Sequence, residues 1–280
     1  MSVAGELLAM LARFGESSPL PKVRALHLPP PSAVESRAGE FCALELDDGS
    51  IGLSYVLLDD ETKRLVREGS DGGLAGADAL AIARWFASEA GSKRTLGFAA
   101  VNALSRCLFD RAGYRPPSSG DSIGELDPRP GEHVGMVGFF PPLVKRIAAV
   151  GARLTVLELK AELAGEYAGY RVTLDAGELA DCGKVLSTST LLLNDTLDGI
   201  LASCAAAERF ALIGPGAGCL PDPLFARGVT LVGGNWIEDG AAFVAALRSG
   251  ESWGATARKT AILRDGYPGF DTLLSRLRSH

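Results

Sequence analysis

Five short apolar runs, each closed by glycine, hydroxyl or carboxylate residues, set the strongest limit on what the second half of this chain can become. They are Val134 to Val137 ending at Gly138, Leu154 to Leu157 ending at Glu158, Val185-Leu186 followed by Ser187-Thr188-Ser189-Thr190, Phe210 to Ile213 ending in Gly214-Pro215-Gly216, and Val229 to Val232 ending in Gly233-Gly234. Helical stretches separate them. Pro141-Pro142 opens one that runs through Val150 and closes at Gly151, with proline in front and glycine behind as helix ends favour. A second covers about Thr196 to Ala207. Apolar strands alternating with helices predict a parallel sheet covered on both faces. Right-handed crossovers then bring every strand C-terminus to one edge.

That edge is where open α/β sheets bind ligands. Its predicted residues are rich in glycine, hydroxyls and amides: Gly138-Phe139-Phe140-Pro141, Glu158, Ser187 to Asn194, Gly214 to Gly218 and Gly233-Gly234-Asn235-Trp236. Glu158 stands 20 residues past Gly138, the position of a ribose-binding acid in a dinucleotide fold. The loop before it does not follow G-x-G-x-x-G, and two phenylalanines and two prolines fill the space a pyrophosphate would need. A nicotinamide or flavin site is therefore not expected.

The first half reads differently. An amphipathic opening helix spans Met1 to Phe14, and Lys22 to Ser36 is read as a loop because Pro29-Pro30-Pro31 oppose helix. Phe41 to Leu46 and Ile51 to Val56 alternate around Asp47-Asp48-Gly49-Ser50, the pattern of a β-hairpin. Two helices follow, one carrying Ala79, Ile82, Ala83, Phe86 and Ala90 on one stripe. The other, about Leu96 to Ala112, is apolar nearly all round and so expected to be buried. Asn102 lies within it, either as a satisfied core amide or as a group reaching the cleft between two domains. Proline, serine and glycine dominate Arg115 to Gly131. The expected organisation is an α+β domain over residues 1–115, a linker over 116–131 and a Rossmann-like domain over 132–280.

Composition bounds the partners. A formal net charge of −6 and the lack of a basic block argue against nucleic acid. No run approaches the ~18 uncharged apolar residues of a membrane span, and the N-terminus lacks the pattern of a signal peptide, so a cytoplasmic protein is expected. The five cysteines (Cys42, Cys107, Cys182, Cys204, Cys219) are scattered without C-x-x-C spacing, and the histidines are only His27, His133 and His280. A Cys/His metal cage is not expected. His133 falls at the start of a strand, away from the ligand edge.

The run Gly135-Met136-Val137-Gly138-Phe139-Phe140-Pro141-Pro142-Leu143-Val144, with Val156-Leu157-Glu158, Thr188-Ser189-Thr190, Asn194, Thr196 and Gly214-Pro215, resembles the family named "Putative heavy-metal chelation". The similarity extends to Gly97 through Leu104 and to Gly52-Leu53-Ser54. The resemblance implies an N-terminal domain similar to the enolase N-terminal fold, a Rossmann-like C-terminal domain and a site at their interface. Its expected ligand-binding residues are Asn102, Gly138, Phe139, Phe140, Glu158, Thr188, Ser189, Thr190, Asn194, Gly214 and Pro215. The ligand is expected to be a metal ion, a metal complex or an oxyanion, with no further cofactor identified and homo-oligomerisation left open. A lone carboxylate makes a poor tight site for a bare cation, so a complex or an oxyanion fits these residue types better. The alternative is an enzyme acting on a nucleotide-like or cofactor-like molecule, for which the chain offers no nucleophile paired with a base.

Overall fold

In the computed structural model, residues 1–36, 39–57, 59–69, 71–120 and 125–277 are described; His280 and part of the expected linker lie outside them. The first half comprises α1 (Val3–Ser17), β1 (Val23–His27), α2 (Pro31–Ser36), β2 (Gly39–Leu46), β3 (Ile51–Leu57), α3 (Asp60–Glu68), α4 (Ala79–Ser88) and α5 (Gly91–Arg111). The Asp47–Ser50 turn joins β2 and β3 as the alternation predicts, with Cys42 opposite Ser54 and Leu44 opposite Gly52. The expected loop over Lys22 to Ser36 is corrected: β1 pairs antiparallel with β2, and the prolines separate it from α2, whose first residue is Pro31. Proline at that position gives up an N–H that has no helical partner anyway.

The hairpin is buried on both faces. Cys42, Leu44 and Val56 join the core around α5, while Ala43, Ile51 and Leu53 pack with Phe243 and Leu247. Helix α5 meets β3 backbone to backbone at Gly52, where a Cβ would stand 2.2 Å from Ala99 O and Ala103 N. Only glycine permits that approach. As its apolar circumference requires, α5 is buried from Leu96 to Ala103 without a break.

The second half comprises β4 (His133–Val137), α6 (Pro141–Ala149), β5 (Arg153–Leu157), β6 (Gly165–Tyr167), β7 (Tyr170–Thr173), β8 (Lys184–Thr188), α7 (Leu197–Ser203), β9 (Arg209–Ile213), α8 (Asp222–Phe225), β10 (Leu231–Ile237), α9 (Gly240–Ser249), β11 (Ala257–Leu263) and α10 (Phe270–Arg276). These strands form one eight-stranded sheet in the order β11-β10-β9-β8-β4-β5-β7-β6. The six central strands are parallel, and β6 and β11 pair antiparallel at the two edges. Counted along the chain, the parallel strands run 3-2-1-4-5-6, the order of doubly wound dinucleotide-binding sheets. The direction of winding reverses between β4 and β8.

All five expected strands are present, and three more join them. One of these changes the reading of the edge: β10 does not stop at Val232 but runs to Ile237 and turns back through α9 into β11. Gly233 to Trp236 are therefore inside a strand and not beyond its end. One face of the sheet, bearing Val185, Phe210 and Val232, shares a continuous apolar core with Leu104 and Leu108 of α5. Val144 and Ile147 of α6 pack into the other, with Met136, Val156 and Leu186.

Candidate functional site

The switch point between β4 and β8 brings Gly138 against Thr188: a Cβ on Gly138 would lie 3.2 Å from Thr188 Cγ2 and 3.5 Å from the Phe140 ring. This is where a dinucleotide fold holds a pyrophosphate, on N–H groups at the start of the first helix. Here the groups are withdrawn. Pro141 and Pro142 occupy the first two positions of α6 and have no N–H to offer. Leu143 N bonds back to Phe140 O, and ahead of the helix Glu158 takes another donor: its Oε2 accepts from Phe139 N at 3.0 Å and its Oε1 from Leu159 N at 2.8 Å. The carboxylate is thus a latch joining the ends of β4 and β5. Thr188 and Thr190 are likewise engaged with each other, hydroxyl to hydroxyl at 3.1 Å.

The other expected residues divide. Ser189 packs under Gly214, and Phe140, Gly214 and Pro215 line a cavity of about 410 Å3 over the end of β9 and the middle of β10. The Phe139 ring turns away toward Tyr170, 6.2 Å between centroids. Asn194 is exposed, and its carboxamide oxygen accepts from Thr196 N and Oγ1 just before α7. Asn102 is 2% exposed and donates to Leu53 O at 2.6 Å and Gly216 O at 2.8 Å, while its Oδ1 has no partner. It lines a space of about 30 Å3 between the two halves of the chain, room for about one water molecule. That small space and the large cavity share Pro215, Asn235 and Thr260.

Helix α5 holds the loops around this region. Arg94 donates to Leu193 O at 2.7 Å and pairs with Asp195 at 2.6 Å, past the end of β8. Asn102 holds Gly216 past β9, and Arg106 donates to Ile237 O at the end of β10 at 2.9 Å with its guanidinium 3.7 Å from the Trp236 ring centre. The loop after β9 also presses on β10: a Cβ on Gly234 would stand 2.4 Å from Ala217 O.

The large cavity contains polar side chains outside the expected ligand-binding residues, of which the sequence places only Asn235 at the ligand edge. Asn235 and Lys259 are directly opposite on β10 and β11, with Thr260 beside them. Among the described residues no hydrogen-bond partner or counter-ion meets the side chains of these three. Thr260 is 7% exposed and pairs with Gly234, so its side chain lies on the opposite face of the sheet from Asn235 and Lys259. Phe140 closes the cavity from the β4 side and Trp253 from the β11 side, the indole braced by Phe243 and Phe41 at 5.3 and 6.2 Å. A signal for Asn235 was present, in its place behind Gly233-Gly234. Trp253 and Lys259 gave none, because α9 had to be folded back before they could approach.

The donor chemistry for a bare heavy metal is poor. Among the described residues no group of three or more His, Cys, Asp or Glu side chains converges. The five thiols are buried and unpaired. Burial pushes Cys42, Cys182 and Cys219 up to about 12 and Cys204 to about 11, and burial followed by the neighbouring Asp48 pushes Cys107 higher still. A thiolate is the form that binds soft metals, so these thiols are disabled for it. His133 opens β4 on the opposite edge of the sheet, where Arg153 donates to its Nδ1 at 2.6 Å. Burial and then Arg153 lower its pKa, so the ring is held neutral.

The fold is that of a doubly wound α/β protein, with an α+β unit packed on its loops. The chain belongs to the DUF364 family, described as "Putative heavy-metal chelation", whose model matches residues 121–263. A second model with the same description, DUF4213, matches residues 34–105. Among solved structures, a DUF364-family protein of unknown function from Pyrococcus horikoshii aligns at 19% identity with a TM-score of 0.67, over 92% of this chain and 99% of that one. Another of unknown function from Desulfitobacterium hafniense aligns at 18% identity with a TM-score of 0.66, over 93% and 99%. These likenesses establish the shared fold. No curated protein matches the sequence. Among the described residues no helix is long and apolar enough to cross a membrane.

Proposed function

We propose that this chain binds a small organic molecule, a metal complex or an oxyanion in the 410 Å3 cavity beside the junction of its two halves. Metal handling then means holding a metal already dressed by its own ligands. The observation that carries this reading is the contrast in polar groups. Asn235 and Lys259 stand without partners beside an apolar space, whereas no set of side chains among the described residues could replace the water shell of a bare ion. Pockets of this kind, mostly apolar with a few convergent polar groups, are the usual form of small-ligand sites. The same reading takes residues 1–115 and 132–280 as two domains, the first of the enolase N-terminal type. Its role is to hold the strand-end loops through Arg94, Asn102 and Arg106.

Melting curves test the proposal, because a ligand selective for the folded state raises its stability, by about 2.7 kcal/mol at a hundred times its dissociation constant. Zinc, nickel, molybdate, iron(III) citrate and NAD are compared on the wild type and on Asn235→Ala/Lys259→Met. A rise in melting temperature with the complex or the oxyanion, absent in the double variant, is expected. A rise with bare ions or NAD alone would overturn it.

A further inference from the structure

The cavity is specific about shape as well as polarity. Its floor is the end of β9, at Ile213 and the following Gly214, and the middle of its neighbour β10, at Gly233-Gly234, so three of the four floor residues present backbone and no side chain. A surface of that kind is flat. Phe140 and Trp253 line its two sides, and both are aromatic. Lys259 is the one charged residue of the lining, and nothing among the described residues neutralises it. Asn235 stands beside it in register and adds a carboxamide donor.

From these features we infer that the ligand is a flat, aromatic or heteroaromatic carboxylate, free or as its metal chelate. Its ring lies on the glycine floor against Phe140 and Trp253, and its carboxylate meets Lys259 and Asn235. The inference rests on the cavity being the binding site and adds the class of molecule. Each part has a physical reason. Aromatic faces attract flat rings with about 0.5–1.5 kcal/mol beyond the area they bury. An ammonium at the rim of an apolar space favours an anion over a neutral analogue of the same shape. A ring nitrogen beside a carboxylate also chelates transition metals, so one molecule supplies the metal donors that the chain itself lacks.

Quinoline-2-carboxylate is a suitable probe, with 2-(hydroxymethyl)quinoline as the uncharged match, citrate as the non-planar anion, and the zinc complexes of both anions. Each is titrated calorimetrically into the wild type, Lys259→Met and Trp253→Phe, and tryptophan fluorescence is followed in parallel. Quinoline-2-carboxylate is expected to bind the wild type at least tenfold more tightly than it binds Lys259→Met, and at least tenfold more tightly than the uncharged match binds. Binding should quench tryptophan emission, and Trp253→Phe should retain the affinity but lose the quench. Binding of zinc citrate without binding of either quinoline compound would overturn the flat-carboxylate assignment and leave the cavity as the binding site. Equal affinity of wild type and Lys259→Met for quinoline-2-carboxylate would also overturn the assignment. If no compound binds with or without zinc, and no probe in the melting experiment acts, the cavity reading fails with it.

Discussion

Two stretches of the same sheet edge have opposite characters. At the ends of β4 and β5, where a dinucleotide fold would bind its ligand, Phe139 N is taken by Glu158, two prolines have removed the helix donors, and Thr188 is bonded to Thr190. Beside the end of β9, along β10 and β11, the side chains of Asn235 and Lys259 remain without partners around an open cavity. The switch point lies at the first stretch, so strand order alone would put a ligand there. The proposed site follows instead from which polar groups the protein has already used for itself.

That difference can be attacked from the scaffold inward. Asn102→Ala removes the donors of two buried carbonyls, Leu53 O and Gly216 O. At about 1–3 kcal/mol for each group left unpaired, it should lower unfolding free energy by roughly 2–4 kcal/mol in denaturant titrations. A loss below about 1 kcal/mol would mean that α5 does not hold the loop after β9. Gly234→Ala forces a methyl against Ala217 O and should lower stability by about 1–3 kcal/mol while closing the cavity to ligand. Glu158→Gln weakens the latch between β4 and β5 and should lower stability by about 1 kcal/mol with affinity at the cavity unchanged. Lys259→Met should leave stability within about 0.5 kcal/mol, as expected for a surface change that breaks no contact. If Glu158→Gln abolished binding and Lys259→Met did not, the two stretches would have to exchange roles. The smallest effect concerns the thiols. With all five buried and protonated, a disulfide reagent at pH 8 should modify none of them in the folded protein within minutes and all of them after unfolding.

Much of the fold was legible from short-range pattern. The runs at Val134, Leu154, Val185, Phe210 and Val229 each lie on or beside a parallel strand, and the Asp47–Ser50 turn predicts the hairpin. What escaped lacks a local signature. β7 has four residues, and β11 carries Arg258 and Lys259 in its first half, as exposed edge strands often carry charge, so neither reads as an apolar run. β1 was hidden by the three prolines that follow it. For the site, sequence reading reached Phe140, Gly214 and Pro215 because they end strands. It could not see that Glu158 bonds back to Phe139, which depends on two strands being side by side. Nor could it pair Asn235 with Lys259, which requires the chain to return through α9. Arg94 and Arg106 did leave a trace: with Asn102 they interrupt an otherwise apolar helix at intervals of eight and four residues, the spacing of one face.

Anomalous scattering from crystals soaked in zinc quinoline-2-carboxylate or iron(III) citrate tests the placement of the site most directly, since it locates the metal without assuming which residues hold it. The metal is expected above Gly233 and Gly234, between Phe140 and Trp253, with its organic ligand reaching Asn235 or Lys259 and no protein side chain in the coordination shell. A metal seated on Glu158 beside Gly138, or ligated directly by the protein, would contradict it.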